Sequence, residues 1–214
     1  MNRPLPPPAG APPLSAPARL AARVVGRLFN WHWIEPGLAR AAQTYGWQTP
    51  LLLRHHAIRC LVNLRGDNTG SPWYDNERRS AEGLGVTYVD VSLSSKRLPA
   101  REHLLQALDA VVQAPRPTLI KCSGGADRTG FVAGLYLLDR HGLGAMAQAR
   151  RQLAYWPYLH IPKPRQRWIR AFLDFIVADT NGKPLRDWLA SDYTAERFEA
   201  FLVARGQHRY WKRN

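Results

Sequence analysis

One short segment constrains the possible fold of this chain most, because it joins two apolar runs through a glycine-rich turn. Thr118-Leu119-Ile120-Lys121 predicts a buried strand, and the apolar stretch from Thr129 to Arg140 predicts a helix. Between them lies the sequence Cys122-Ser123-Gly124-Gly125-Ala126-Asp127-Arg128. A strand, a tight loop and a helix in this order are typical of open α/β sheets, whose ligands bind at the carboxyl ends of the strands.

The chain before this segment repeats the alternation of strands and helices. Residues 57–64 and 86–91 predict strands, 76–81 predicts a short helix, and a longer helix begins at Pro99. We therefore expect an α/β fold, a three-layer domain with a central, mainly parallel sheet flanked by helices. Further helices are expected from Ala145 onward, including one over Ala195–Ala204.

The glycine-rich loop has the chemistry of an anion site. Backbone N–H groups in such a turn can point inward, and the following helix adds positive potential. The candidate phosphate-binding residues are therefore Ser123, Gly124, Gly125, Ala126, Asp127 and Arg128. The same field favours a thiolate at Cys122, which would then act as a nucleophile. The guanidinium of Arg128 can grip two phosphoryl oxygens. The Thr129 hydroxyl can donate to the Cys122 sulfur and help it leave.

The run Cys122-x5-Arg128-Thr129-Gly130 resembles the signature of the protein tyrosine and dual-specificity phosphatase superfamily. Weaker similarity to the bacterial dual-specificity-like branch covers 38–43, 62–65 and 73–77. The resemblance implies metal-independent hydrolysis of phosphomonoesters in two steps, through a phosphocysteine intermediate and with no cofactor. Together with the Pro/Ala-rich composition of the first residues, it divides the chain into three predicted regions: a partly disordered, basic Pro/Ala-rich tail over 1–28, a catalytic domain over 29–180, and a helical extension over 181–214.

One position departs from the family pattern. A histidine normally precedes the nucleophile and supports the loop, whereas here the residue is Lys121. Lys121 can supply positive charge in its place, or can point away from the site. The departure bears on catalytic efficiency more than on the type of reaction.

Two carboxylic acids compete for the role of proton donor to the leaving group. Asp127, which together with Arg128 and Thr129 resembles the Asp-Arg-Thr ending in myotubularins and some bacterial phosphatases, is the first choice. Asp90 is the second choice, since its separation from Cys122 is similar to that of the general acid in many dual-specificity enzymes. Asp90 lies in an alternating strand pattern, however, and the loop after it, 92–98, has no carboxylate.

The charge of the chain indicates the class of its partners, and its cysteine content indicates the compartment. The net charge of +14 favours acidic partners, here a phosphorylated protein or a phospholipid. Arginines are scattered along the chain and not clustered with aromatic residues, so nucleic acid is not expected. Two cysteines outside any disulfide or metal spacing, Cys60 and Cys122, favour a reducing, cytoplasmic location. No metal site is predicted, and the oligomeric state is left open.

The N-terminal region admits two interpretations. Arg19, Arg23 and Arg27 interrupt an apolar run from Leu20 to Phe29, a pattern typical of an amphipathic helix on an anionic membrane or of a transit peptide. The interpretation that we favour is a disordered tail leading into a short helix that packs on the domain. The amphipathic pattern adds the expectation of peripheral contact with an anionic membrane.

We predict a phosphatase of the tyrosine or dual-specificity type. One alternative is a catalytically weak phosphate-binding or adaptor module that uses the same loop. Another is a phospholipid phosphatase with a substrate like phosphatidylglycerophosphate. A rhodanese-type sulfurtransferase also places a cysteine among loop amides, but Arg128 and Thr129 argue against that class.

Overall fold

The computed structural model describes residues 13–207. Most of the Pro/Ala-rich part of the predicted tail, 1–12, lies outside the described residues, as does the basic aromatic end over 209–213. The chain forms two compact units, each built from two stretches. The first unit holds the chain up to Val91 together with Gln113–Gly125. The second holds Ser92–Val112 together with the chain from Ala126 onward.

The first unit contains a mixed, mainly parallel sheet of five strands. The strands are β1 (His32–Glu35), β2 (Leu38–Ala41), β3 (Cys60–Asn63), β4 (Thr87–Asp90) and β5 (Thr118–Lys121). Their order is β1-β2-β5-β3-β4, and only the β1–β2 pair is antiparallel. The α/β fold class and the mainly parallel sheet are thus confirmed, and β5, at the centre, has the predicted bounds.

Three helices of the first unit are α1 (Ala16–Leu28), α2 (Gln48–His55) and α3 (Pro72–Glu82). Helix α3 begins before the predicted Asn76 because Pro72 occupies its first turn, where a proline costs no hydrogen bond. The helices pack on the sheet through one apolar core. Its buried members are Ala22, Val25, Trp31, Ala39, Ala41, Leu52, Leu53, Ile58, Leu61, Ala81, Val86 and Leu119.

The second unit is helical. Its helices are α4 (Arg101–Val112), α5 (Asp127–His141), α6 (Met146–Arg151), α7 (Trp168–Asp179), α8 (Leu185–Ser191) and α9 (Ala195–Ala204), with short 3-10 turns at Leu143–Ala145 and Pro164–Gln166. Edge-to-face aromatic contacts link α5, α7 and α9: the Phe172 ring centroid lies 5.1 Å from Phe131 and 4.9 Å from Phe198. Within 13–207, no helix is both long and apolar enough to cross a membrane.

Candidate active site

The glycine-rich loop begins where the central strand ends. All four residues of β5 are buried, and they pair in parallel with β2 on one side and β3 on the other. Cys122 follows directly and is itself buried, with 3% of its surface exposed. Parallel strands collect polar ligand-binding groups at this edge of a sheet. The strand therefore presents the predicted nucleophile at the position where an α/β sheet binds its ligand.

The first half of the loop is held by its carbonyl oxygens. The backbone N–H of Gln43 donates to Ser123 O at 3.1 Å, Asn30 Nδ2 donates to Gly124 O at 3.1 Å, and Arg40 Nη2 donates to Gly125 O at 2.6 Å. With three successive carbonyls fixed in this way, the N–H groups of the turn can serve an anion.

Gly125 is required by its conformation and by its neighbours. Its φ is +64°, which L side chains rarely adopt. A Cβ on Gly125 would lie 2.6 Å from the backbone carbon of Ala41 and 2.6 Å from the nitrogen of Ala42. The loop therefore passes against the end of β2 so closely that only glycine fits.

Lys121 belongs to a buried polar network in the first unit. Its ammonium is ion-paired with Glu77, and the two side chains are 1% and 2% exposed. Lys121 Nζ also donates to Gln43 Oε1 at 2.8 Å and lies 4.8 Å from the centre of the Trp73 ring. Burial lowers the pKa of Lys121 to about 8, although the pairing with Glu77 acts in the opposite direction.

The carboxylate of Glu77 is satisfied by further donors. Gln43 Nε2 donates to Glu77 Oε1 at 2.7 Å, and the Tyr88 hydroxyl donates to Glu77 Oε2 at 2.7 Å. Burial and the neighbouring carboxylate raise the pKa of Tyr88. The guanidinium of Arg65 lies 3.5 Å from the centre of the Trp73 ring, and its Nη1 donates to Gln43 Oε1 at 3.3 Å. The sequence left open whether Lys121 supplies positive charge or points away from the site. In the structure its side chain lies in this buried network, paired with Glu77.

The second half of the loop opens helix α5. Arg128 Nη1 donates to Leu93 O at 3.3 Å, which ties the predicted phosphate-binding arginine to the segment after β4. Thr129 is fully buried, and its Oγ1 has no hydrogen-bond partner among residues 13–207. A buried hydroxyl without a partner is costly, so this hydroxyl is suited to an interaction made during the reaction.

Asp127, the first choice for the acid, is held by two side chains of the second unit. His160 Nε2 lies 3.2 Å from Asp127 Oδ1, and Gln166 Nε2 donates to Asp127 Oδ2 at 3.0 Å. His160 is fully buried, and its Nδ1 lies 2.9 Å from Leu153 O. Arg170 Nε also donates to His160 Nδ1 at 3.3 Å, and His160 Nε2 faces the carboxylate of Asp127. No motif in the sequence indicated His160, which lies far from Asp127 along the chain.

Asp90, the second choice, is engaged within the first unit. Its Oδ1 accepts from Asn63 Nδ2 at 2.8 Å, and its Oδ2 accepts from the Tyr74 hydroxyl at 2.5 Å. Burial, followed by the bond to Asp90, raises the pKa of Tyr74 to about 12. Asp90 is the last residue of β4 and links that strand to β3 and α3.

Two further features concern the second cysteine and the segment after β4. Cys60 is fully buried in β3, where burial raises the pKa of its thiol to about 11, as expected of a core cysteine. Lys96 and Arg97 are exposed on the segment after β4. Within the described part of the chain, no group of three His, Cys, Asp or Glu side chains is arranged to hold a metal ion.

Comparison with known proteins gives structural relatives only. No family model matches the chain, and no curated protein sequence does. The structure of Pseudomonas aeruginosa TpbA is similar, with 21% identity, a TM-score of 0.56, and coverage of 77% of this chain and 92% of TpbA. A DUF442 phosphatase from Shewanella putrefaciens CN-32 shows 18% identity and a TM-score of 0.55, covering 71% of this chain and 96% of the other. PTPMT1 shows 16% identity and a TM-score of 0.52, with 72% and 99% coverage. The chain has the fold of the tyrosine and dual-specificity phosphatases.

Proposed function

We propose that this chain is a cysteine-dependent phosphomonoester hydrolase. The observation that carries the proposal is the Cys122-x5-Arg128 spacing at the end of a buried parallel strand, with the loop carbonyls held by Asn30, Arg40 and Gln43. Such a loop binds a phosphoryl group through amides and a guanidinium, with no need of a metal. The shared fold supports the same conclusion.

The reaction takes two steps. The Cys122 thiolate attacks phosphorus, the bond from phosphorus to the ester oxygen breaks, and Asp127 gives its proton to that oxygen. Water then attacks the phosphocysteine while the Asp127 carboxylate takes a proton from it, so that inorganic phosphate and the Cys122 thiolate are released. In both steps Arg128 stabilises the charge on the equatorial oxygens.

The environments of the two acids favour Asp127 over Asp90. Both acids are held by two side chains, but Asn63 and Tyr74 beside Asp90 do not exchange a proton near pH 7, whereas an imidazole does. Asp127 precedes Arg128 directly and faces His160, which can hold or return a proton. We infer that His160 positions Asp127.

Hydrolysis of p-nitrophenyl phosphate tests the proposal. We expect turnover by the purified chain and its complete loss in Cys122→Ser. Asp127→Asn should slow the reaction by about 10²- to 10⁴-fold and remove the alkaline limb of the pH profile, whereas Asp90→Asn should keep that limb. His160→Asn should shift the limb and leave phosphate binding unchanged. Absence of turnover from about pH 5 to 8 would contradict the proposal and favour a binding module.

The substrate class is proposed as a phosphorylated protein or a phospholipid. TpbA has been solved with pTyr and PTPMT1 with PI(5)P, so this fold accommodates both kinds of ligand. Parallel assays with a phosphotyrosine peptide and with a phosphorylated lipid separate the two classes.

Peripheral contact with an anionic membrane is part of the proposal. Helix α1 packs through Ala22 and Val25 and exposes Leu20, Val24 and Leu28, which are 63%, 52% and 75% exposed. These three lie one turn apart, and Arg19, Arg23 and Arg27 each precede one of them. A stripe of apolar and basic side chains suits the surface of an anionic bilayer. Replacing Leu20 and Leu28 with serine should reduce co-sedimentation with anionic vesicles; unchanged co-sedimentation would contradict this contact.

A further inference from the structure

The segment between α6 and α7 displays large apolar side chains in the second unit. Tyr155, Trp156, Leu159 and Ile161 are 60%, 77%, 53% and 70% exposed. Tyr158, between them, is buried. We call Tyr155–Ile161 the apolar loop. Globular proteins rarely concentrate exposed side chains of this size in one short segment unless the segment contacts something.

The outward display is imposed by the backbone of the apolar loop. The N–H of Leu159 donates to Tyr155 O at 2.6 Å, and Leu159 has a φ of +54°, a strained value for a leucine. Arg170 Nη2 donates to Leu153 O at 2.9 Å and to His160 O at 3.2 Å, which fastens both ends of the turn. These hydrogen bonds hold the backbone of the apolar loop in the conformation that exposes its large side chains.

The apolar loop lies next to the candidate acid. His160, within it, places Nε2 at 3.2 Å from Asp127 Oδ1. Gln166, which follows it, donates to the other oxygen of Asp127 at 3.0 Å. A surface that rests on the apolar loop is therefore adjacent to the residue proposed to protonate the leaving group.

The charged residues that neighbour the apolar loop along the chain are all basic. Lys163, Arg165 and Arg167 follow it and are exposed, and no acidic residue occurs between Asp139 and Asp174. Exposed Trp and Tyr side chains beside Lys and Arg match the interfacial region of a bilayer, where rings enter the head-group layer and cations meet lipid phosphates. Protein interfaces also use Trp and Tyr side chains, but a bilayer places its apolar layer directly beneath a layer of phosphates and so complements both kinds of side chain at once.

We propose that the apolar loop docks on an anionic bilayer and that the substrates are lipids whose phosphomonoester head group stands at its surface. The inference rests on the proposed phosphatase function and names its substrate class. The bond from phosphorus to the lipid oxygen breaks on attack by Cys122, and that oxygen takes the proton of Asp127. Water then cleaves the phosphocysteine, so the products are a lipid alcohol and inorganic phosphate.

The test compares two substrates in two variants of the full chain. The substrates are phosphatidic acid in phosphatidylcholine vesicles and soluble p-nitrophenyl phosphate. Trp156→Ser/Ile161→Ser removes two exposed side chains of the apolar loop; the matched control is Val177→Ser/Val203→Ser, whose residues are 56% and 53% exposed on α7 and α9. We expect the ratio of vesicle rate to soluble rate to fall at least about tenfold in the loop variant and to stay unchanged in the control.

Co-sedimentation with the same vesicles separates docking from catalysis. Binding that the loop variant loses supports the docking surface, and a wild-type chain that binds but hydrolyses neither substrate would contradict the phosphatase function alone. An unchanged rate ratio, or wild-type protein that does not bind the vesicles, overturns the proposal. A loop variant that loses activity on a phosphotyrosine peptide but keeps vesicle binding overturns it in favour of a protein partner.

Discussion

Replacement of Lys121 by methionine tests the structural account of the residue that departs from the family pattern. Lys121 and Glu77 form an ion pair whose side chains are 1% and 2% exposed. Removing one member of such a pair leaves an uncompensated buried charge, at a cost of about 3–5 kcal/mol. Glu77 keeps the donors Gln43 and Tyr88. We therefore expect the free energy of unfolding to fall by about 3 kcal/mol, the lower end of that range.

The measurement is urea unfolding at pH 7, followed by circular dichroism. With a slope of about 2–3 kcal/mol per molar urea, the Lys121→Met midpoint should fall by more than about 1 M. The double variant Lys121→Met/Glu77→Gln removes both charges and should recover most of the loss. The matched control is Lys96→Met, because Lys96 is exposed and should change the free energy by less than about 0.5 kcal/mol.

Two results would refute this reasoning. The first is a Lys121→Met variant whose free energy of unfolding is within about 1 kcal/mol of the wild-type value. This result would mean that the charge of Glu77 is tolerated without Lys121. A double variant as unstable as the single one would mean that the loss comes from packing around the methionine. In that case the charge of Glu77 is not the cause.

A further prediction concerns Gly125, in the same unit. Gly125→Ala should cost about 1–3 kcal/mol for the positive φ alone, and more because its Cβ would meet the backbone of Ala41 at 2.6 Å. Its phosphatase activity should fall together with its unfolding midpoint, and a normal midpoint would contradict the close approach.

The sequence predicted the elements whose signals are local. Strand β5 and helix α9 have the predicted bounds. The first is a short run of β-branched and apolar residues between prolines and a glycine-rich loop, and the second has apolar residues at helical spacing. Helix α5 extends slightly beyond its predicted ends, as helix ends commonly do. The superfamily resemblance, drawn from the loop motif, is confirmed at the level of the fold.

Strands β1 and β2 were missed because their burial depends on distant partners. Strand β2 reads Leu-Ala-Arg-Ala, and every residue in it is buried. Alanine and arginine do not mark a strand, and a buried arginine is rare. Arg40 is tolerated there because its guanidinium donates to Gly125 O, a residue far along the chain. His160 was not predicted as a partner of Asp127 for the same reason, because the two residues are far apart along the chain.

Gln43 decides how the residue before the nucleophile acts on the loop. Its side chain accepts from Lys121 and donates to Glu77, while its backbone N–H holds the carbonyl of Ser123. A change at position 121 therefore reaches the loop through the backbone of Gln43 and through the charge balance at Glu77. Lysine is compatible with an ordered loop here because a carboxylate of opposite charge is buried beside it. It follows that activity should depend on whether residues 43, 77 and 121 match one another, and not on whether position 121 holds a histidine.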